Sequence, residues 1–360
     1  MSRFQSGRLE GLAAYVPGEQ PTGMQYIKLN TNESPYPPAP SVIKALTAES
    51  LSKLNLYPEP DGTALKQKIA DMYGVLSENV MLANGSDETL AFSFLAFCDA
   101  RRGVAFPDIT YGFYPVYVKL FGVDALEIPV RDDFSIDAAD YFNLNRNIII
   151  ANPNAPTGLT LSLNEIRSIA EHNRDYIVLI DEAYVDFGGE SATSLTKEYD
   201  NLLVVHTYSK SRSMAGARLS YAIGPEALIA DLVKVKYSFH PYNVNRMTQV
   251  IGLASLEAQQ YYDENCREIA KTRAYTADAL KKLGFLMTDS RANFLFARHP
   301  EIHGTEFYRL LKNRGILVRN FDKRRTSDYL RITIGTKEQM DALLRETAAI
   351  LEMRANDEKK

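Results

Sequence analysis

Short apolar runs bounded by turn residues recur through the first two thirds of the chain: Val80–Ala83, Gly103–Phe106, Ala125–Pro129, Asn147–Ala151, Tyr176–Ile180, Leu202–Val205 and Leu219–Ile223. Several, Ile148 to Ala151 among them, are apolar without alternation, which is the pattern of strands covered on both faces. Helix-like stretches such as Ser86–Cys98 and Leu163–His172 separate many of these runs. An α/β architecture is therefore expected over roughly Leu46 to Ile223, with a mainly parallel seven-stranded sheet flanked by helices.

Beyond Tyr242 the pattern changes. Helical periodicity dominates over Arg246–Leu256 and Tyr261–Leu283, and a last helix is expected from Thr336, where Gln339 three residues on completes a capping box. Met340, Leu343, Leu344, Thr347 and Leu351 then share one face. Strand-like Phe294–Ala297, Ile316–Arg319 and Tyr329–Ile334 lie between the helices, so a smaller α+β domain is expected over residues 246–360, after a large domain over 46–245. The first residues, 1–45, carry Pro35, Pro37, Pro38 and Pro40 and cannot form a continuous helix; an arm laid over the surface and packing on the small domain is expected.

With 45% hydrophobic residues, the 360-residue chain can bury a substantial core. A formal charge of -4 gives no electrostatic reason to expect nucleic acid or an anionic membrane as partner. No stretch is long and apolar enough to suggest a membrane span, and Met1–Glu10 has no apolar signal core, so a cytoplasmic location is expected. Cys98 and Cys266 make neither a disulfide framework nor a metal pattern, and the five histidines show no zinc spacing, so no metal is expected.

Four runs carry candidate chemistry. In Thr207-Tyr208-Ser209-Lys210, continuing to Arg218, a lysine follows an apolar strand and an arginine stands eight residues later. An amine that condenses with an aldehyde and a guanidinium fork that holds phosphate suit a cofactor carrying both groups, pyridoxal 5'-phosphate; a solvated basic turn is the plainer reading of this run alone. Asp181, in Ile180-Asp181-Glu182-Ala183-Tyr184, stands where a strand ends, the place where open α/β sheets bind ligands. There a carboxylate can keep a pyridine nitrogen protonated and Tyr184 can donate to the ring's phenolate oxygen, although a strand-end acid can equally cap a helix. Leu82-Ala83-Asn84-Gly85-Ser86-Asp87 leads through a glycine into a helix start suited to an anion, or simply capped by Ser86 or Asp87. Asn152-Pro153-Asn154-Ala155-Pro156-Thr157-Gly158 offers amides near the same edge, or a proline-punctuated turn.

Taken together and in this order, with Thr110-Tyr111-Gly112 and Leu330-Arg331-Ile332-Thr333-Ile334-Gly335 added, these runs resemble the fold type I pyridoxal-phosphate aminotransferases. Ala14-Tyr15-Val16-Pro17-Gly18, Leu29-Asn30-Thr31-Asn32-Glu33 and Tyr57-Pro58-Glu59 look like the histidinol-phosphate aminotransferase branch. The resemblance covers nearly the whole chain. It implies that Lys210 carries the cofactor as a Schiff base and moves the substrate's α proton, that Asp181 holds the pyridinium, and that Tyr184 serves the O3' oxygen. By the same resemblance Tyr111 stacks on the ring, while Gly85, Ser86, Asp87, Thr207, Ser209 and Arg218 hold the phosphate. Arg331 pairs with the glutamate carboxylate; Tyr15 and Arg319 help hold the substrate's distal phosphate, and Asn32 lies near the substrate. Tyr57 reaches the phosphate of a neighbouring subunit, which implies a homodimer with the arm at its interface.

Three positions depart from the family pattern. Ala155 stands where an asparagine usually binds O3', leaving Asn154 as the candidate to swing in. Ala14 replaces a common proline before Tyr15, and Ala217 a bulkier residue before Arg218. The expected activity is transamination of L-histidinol phosphate with 2-oxoglutarate or glutamate in histidine biosynthesis, with an aromatic or other amino-acid aminotransferase as the alternative. Two other classes are compatible with an α/β sheet: a catalytically silent binding protein on the same fold, and a nicotinamide-dependent dehydrogenase, which the lack of a Gly-x-Gly-x-x-Gly after an early strand disfavours.

Overall fold

The computed structural model describes residues 2–21 and 25–357. Strand β1 (Ile27–Lys28) lies in the arm, and seven strands follow that build the main sheet: β2 (Val80–Ala83), β3 (Val104–Pro107), β4 (Ala125–Ile128), β5 (Asn147–Ala151), β6 (Val178–Asp181), β7 (Leu202–Thr207) and β8 (Ser220–Ile223). Their order is β2-β8-β7-β6-β5-β3-β4, and β8 alone runs antiparallel to its neighbours. Mainly parallel pairing was the expectation from non-alternating apolar runs, and the packing explains them. Ile149, Leu179, Leu203 and Val205 face one core with Leu90, Phe94 and Ile229, whereas Ile148, Ile150, Val178, Ile180 and Val204 face the other with Ile166, Ile169 and Leu195. Successive residues of each strand thus enter opposite cores, so every position is apolar. The edge strand β4 departs from this, with Leu126 and Glu127 exposed.

The parallel strands share one carboxyl edge. Ala151 is paired with Asp181 and Asp181 with Val205, while Ala83 and Thr207 both lie opposite Ser220. The loops after β2, β3, β5, β6 and β7 therefore open on the same side of the sheet, where ligands bind in open α/β folds.

A second sheet, ordered β12-β13-β10-β9, is antiparallel: β9 (Leu286–Met287), β10 (Phe294–Arg298), β12 (Arg319–Asn320) and β13 (Leu330–Thr333), with β11 (Ile316–Leu317) between β10 and β12 in the chain. The closing helix Lys337–Asp357 starts with the expected capping box, Thr336 N donating to Gln339 Oε1 (2.9 Å) and Gln339 N to Thr336 Oγ1 (3.3 Å). Met340, Leu343 and Ile350 on that helix pack with Phe294, Leu295, Phe307 and Ile332.

The arm is more than a surface wrap. β1 pairs in parallel with β11, Leu29 is fully buried, and Leu29 N donates to Leu317 O (2.7 Å) while Thr333 N donates to Leu29 O (3.0 Å). Residues 27–29 are therefore threaded between β11 and β13. A two-residue strand carries no periodicity, which is why the sequence pattern points only to an arm.

Candidate active site

A cavity of about 240 Å³ opens at the shared carboxyl edge, lined among others by Ser86, Asp87, Tyr111, Asp181, Tyr184, Thr207, Ser209, Lys210 and Arg218. Seven separate segments of the chain reach it. At one end Gly85 has φ +85°, and a Cβ there would lie 2.3 Å from a terminal nitrogen of Arg218, so only glycine lets the guanidinium approach. The helix Ser86–Phe97 begins here, and its first N–H groups have no intrahelical partner. Arg218, itself at φ +53°, reaches the Asp87 carboxylate at 3.1 Å, and the Tyr111 hydroxyl donates to the same carboxylate at 2.7 Å. Thr207 Oγ1 donates to Ser209 Oγ (2.9 Å) and accepts from Ser209 N (3.1 Å), which sets both hydroxyls at the cavity wall. Hydroxyls, helix N–H groups and a guanidinium make a phosphate cradle.

At the other end Asp181 is buried. Tyr114 donates to its Oδ2 at 3.1 Å, and Oδ1 has no protein partner. Burial pushes the carboxyl up to about 6 against the opposing pull of the Tyr114 hydrogen bond. A buried carboxylate with one idle oxygen facing a cavity fits a heterocyclic N–H⁺. Tyr114 was missed in the sequence reading: it sits three residues after Tyr111 at the start of the helix Tyr114–Phe121, and a lone tyrosine beside three other aromatics carries no signal of its role. Lys210 Nζ lies 3.3 Å from Thr31 O, on the arm, and 5.8 Å from the Tyr184 ring centre. The residues present therefore fit pyridoxal phosphate at both its anionic and its cationic end, with an amine beside it.

A second cavity of about 140 Å³ shares Tyr111 and Ala155 with the first and is lined by Tyr15, Arg319, Lys323 and Arg331. Arg319 and Arg331 face one another across β12 and β13. Arg331 donates to Asn30 O (3.1 Å), its Nε has no partner, and burial draws its guanidinium below the ordinary value. Arg319 is held by the arm carbonyls of Pro17 (3.2 Å) and Val16 (3.1 Å), and Tyr15 stacks on Phe113 with ring centres 4.4 Å apart. Two guanidiniums with few anionic partners form an anion site. Lys323 carries no signal of this place in the sequence; it follows from the turn Lys323–Thr326.

Two expectations, those for Asn154 and Asn32, are corrected or narrowed. Asn154 does not turn toward the ring: its Nδ2 donates to Ile109 O (2.9 Å) and Thr157 Oγ1 (3.2 Å), and its Oδ1 accepts from Thr110 (2.8 Å), so the loop itself consumes the amide. Asn32 is buried with its amide engaged by Tyr184 and Thr333, which leaves no polar group for a substrate. Tyr57 does not reach its own chain's cavity; it is 76% exposed and stacks on Tyr242 with ring centres 4.5 Å apart. A larger cavity of about 330 Å³ lies elsewhere, beside Asp186, Ser211, Arg212 and Gln259, where Ser211 binds Asp186 and Arg212 binds Gln259.

Comparison with known proteins agrees with this geometry. Residues 24–346 match the family "Aminotransferase class I and II". The chain is 48% identical to a histidinol-phosphate aminotransferase of Brachyspira hyodysenteriae over 98% of its length and 99% of that protein. It is 45% identical to one of Clostridium acetobutylicum over 96% of this chain and 98% of that one. In fold it is similar to the histidinol-phosphate aminotransferase of Sinorhizobium meliloti in complex with pyridoxal-5'-phosphate, with TM-score 0.85 at 20% identity over 97% of this chain and 99% of that one. On sequence similarity that runs almost from end to end, and on a sheet edge built for the same chemistry, the chain belongs to the class I and II aminotransferases, in the family of the histidinol-phosphate aminotransferases.

Proposed function

We propose that this aminotransferase moves an amino group between L-histidinol phosphate and 2-oxoglutarate or glutamate, with pyridoxal phosphate in the cavity that holds Lys210. The observation that carries the substrate reading is the facing pair Arg319 and Arg331 in the cavity that adjoins Lys210's. Bound there, pyridoxal phosphate supplies an aldehyde carbon that accepts amines and a ring that accepts the electrons left at the substrate's α carbon. The protein's residues do the rest. Arg218, Ser86, Thr207 and Ser209 hold the phosphate, with Gly85 making room for Arg218. Asp87 orients Arg218 and Tyr111, and Tyr111 covers the ring. Asp181, braced by Tyr114, holds the ring nitrogen's proton, and Tyr184 donates to the phenolic oxygen. Lys210 Nζ would take the proton from the α carbon of the donor amine and, in the other half-reaction, place one on the former carbonyl carbon of the keto acid. Arg331 grips the glutamate carboxylate, and Arg319 with Tyr15 and Lys323 receives the distal phosphate.

Half-reaction kinetics test the substrate. The rate with L-histidinol phosphate is expected to exceed that with phenylalanine or tyrosine by at least ~100-fold, since an aromatic amino acid brings no phosphate to Arg319, Lys323 and Tyr15. Arg319→Ala should then slow histidinol phosphate far more than glutamate. Equal rates with the aromatic amino acids would assign the protein to aromatic substrates instead.

The same reading makes the protein a cytoplasmic homodimer. Leu54, Leu56, Tyr57 and Phe239 are all more than half exposed, apolar surface that a partner subunit would cover. Tyr57, standing away from its own cavity, is placed to serve a partner's phosphate. Leu54→Glu combined with Leu56→Glu is expected to yield monomers by sedimentation velocity and to weaken cofactor retention at least ~10-fold. A parent protein that sediments as a monomer with full activity would refute it. No helix among the described residues is long and apolar enough to cross a membrane.

A further inference from the structure

Position 155 is alanine and offers that end of the cavity no side-chain donor, and Asn154 is consumed by its own loop. Tyr184 is thus left as the hydroxyl donor at that end of the cavity. A tyrosine hydroxyl can rotate in the ring plane, and it donates usefully only if something holds its proton in the right direction.

The direction is decided by a chain of hydrogen bonds that begins in the small sheet. Asn32 N donates to Thr333 Oγ1 (3.0 Å), so the Thr333 hydroxyl proton is free to donate to Asn32 Oδ1, also at 3.0 Å. With its oxygen occupied, the Asn32 amide turns its Nδ2 to the Tyr184 hydroxyl oxygen at 3.0 Å. Tyr184 therefore accepts on the arm side and has its proton directed away from Asn32. Asn293 Nδ2 donates to Asn32 O (3.0 Å), and Asn32 holds φ +55°, a left-handed backbone that asparagine tolerates better than most residues. Every polar group of Asn32 is engaged and the residue is buried. Its neighbour Thr31 offers the carbonyl that accepts from Lys210 Nζ at 3.3 Å. Two successive arm residues thus touch the amine and the hydroxyl of the cofactor cavity.

We propose that Asn32 is a positioning residue that aims the Tyr184 proton at the cofactor's phenolic oxygen, taking over the task that Ala155 cannot perform. Because Asn32 is tied to Thr333 on β13 and to Asn293 just before β10, the aim depends on the small sheet being seated against the loop after β6. The inference rests on the reading of pyridoxal phosphate in this cavity.

The test is a pH titration of the visible absorbance of the reconstituted holoenzyme. A donor on the phenolic oxygen favours the deprotonated form of the bound cofactor, so weakening that donor moves the midpoint up. Asn32→Asp keeps shape and backbone but presents an acceptor, which draws the Tyr184 proton toward the arm; the midpoint is expected to rise by roughly one pH unit. Asn32→Gly suits the left-handed backbone and frees the hydroxyl to rotate, and a smaller rise is expected. Adding Ala155→Asn to Asn32→Asp should return the midpoint toward the parent value by restoring a second donor. Unshifted midpoints in both Asn32 variants overturn the proposal. A parent protein that develops no visible band on reconstitution overturns the cofactor reading beneath it instead, so the two failures are distinct.

Discussion

Lys210→Ala protein mixed with pyridoxal phosphate is expected to retain no cofactor covalently after borohydride treatment, and to turn over amine substrates at least ~10³-fold more slowly than the parent. The side chain stands between Ser209 and Ser211 just past β7, with its amine against Thr31 O at 3.3 Å and the Tyr184 ring at 5.8 Å. Truncation removes one hydrogen bond and little packing, so circular dichroism should show the fold intact. The loss then reports chemistry: no amine remains at the site to take the α proton, and water in that position is a far weaker base. Intact-mass measurement after borohydride, alongside single-turnover kinetics, checks both halves. A reduced adduct in the alanine protein, or a rate within tenfold of the parent, would move the catalytic amine elsewhere.

Asp181→Asn is expected to pull stability and activity in opposite directions. In the cofactor-free protein, burial raises the Asp181 carboxyl from its ordinary 3.8 to about 6. A raised folded value means that the stabilising contribution is complete below 3.8 and disappears as the pH climbs through about 6. At neutral pH the empty site thus carries an unfavourable buried charge, on the order of 3 kcal/mol. The asparagine has no charge to bury, yet can still accept from Tyr114. Its cofactor-free form should therefore unfold a few degrees higher than the parent at pH 7.5, with the difference vanishing near pH 4. Turnover should fall about 10²–10³-fold, the kinetic equivalent of a lost buried ion pair. Differential scanning calorimetry at the two pH values, with and without cofactor, is the measurement; an asparagine variant less stable than the empty parent at pH 7.5 would show that the carboxylate is not strained by its surroundings.

Much of the site was legible because parallel strands end on one edge. Asp181, Lys210 and Ser86 each follow an apolar run within a few residues, so placing the runs in a parallel sheet already brings those side chains together. The helix signal of the last helix was equally local: Thr336 and Gln339 cap it as their spacing predicts. Asn154 and Asn32 were not legible. An amide in a turn can face either way, and which way is settled by the acceptors around it, here Ile109 O for one and Tyr184 with Thr333 for the other. Tyr114 shows the same limit from the other side, since its bond to Asp181 joins residues 67 positions apart.

By itself the sequence determined the two-sided burial of the main sheet, the helices with their caps, and the identity of the lysine, acid and arginine that share the cavity. These follow from periodicity and from residue chemistry, both of which are local. Tertiary structure decided the threading of the arm between β11 and β13, the orphaned oxygen of Asp181, the unpaired Nε of Arg331 and the relay from Thr333 through Asn32 to Tyr184. Those depend on hydrogen-bond partners and desolvation supplied by distant segments, and no run of neighbouring residues encodes which groups will be satisfied and which will be left for a ligand.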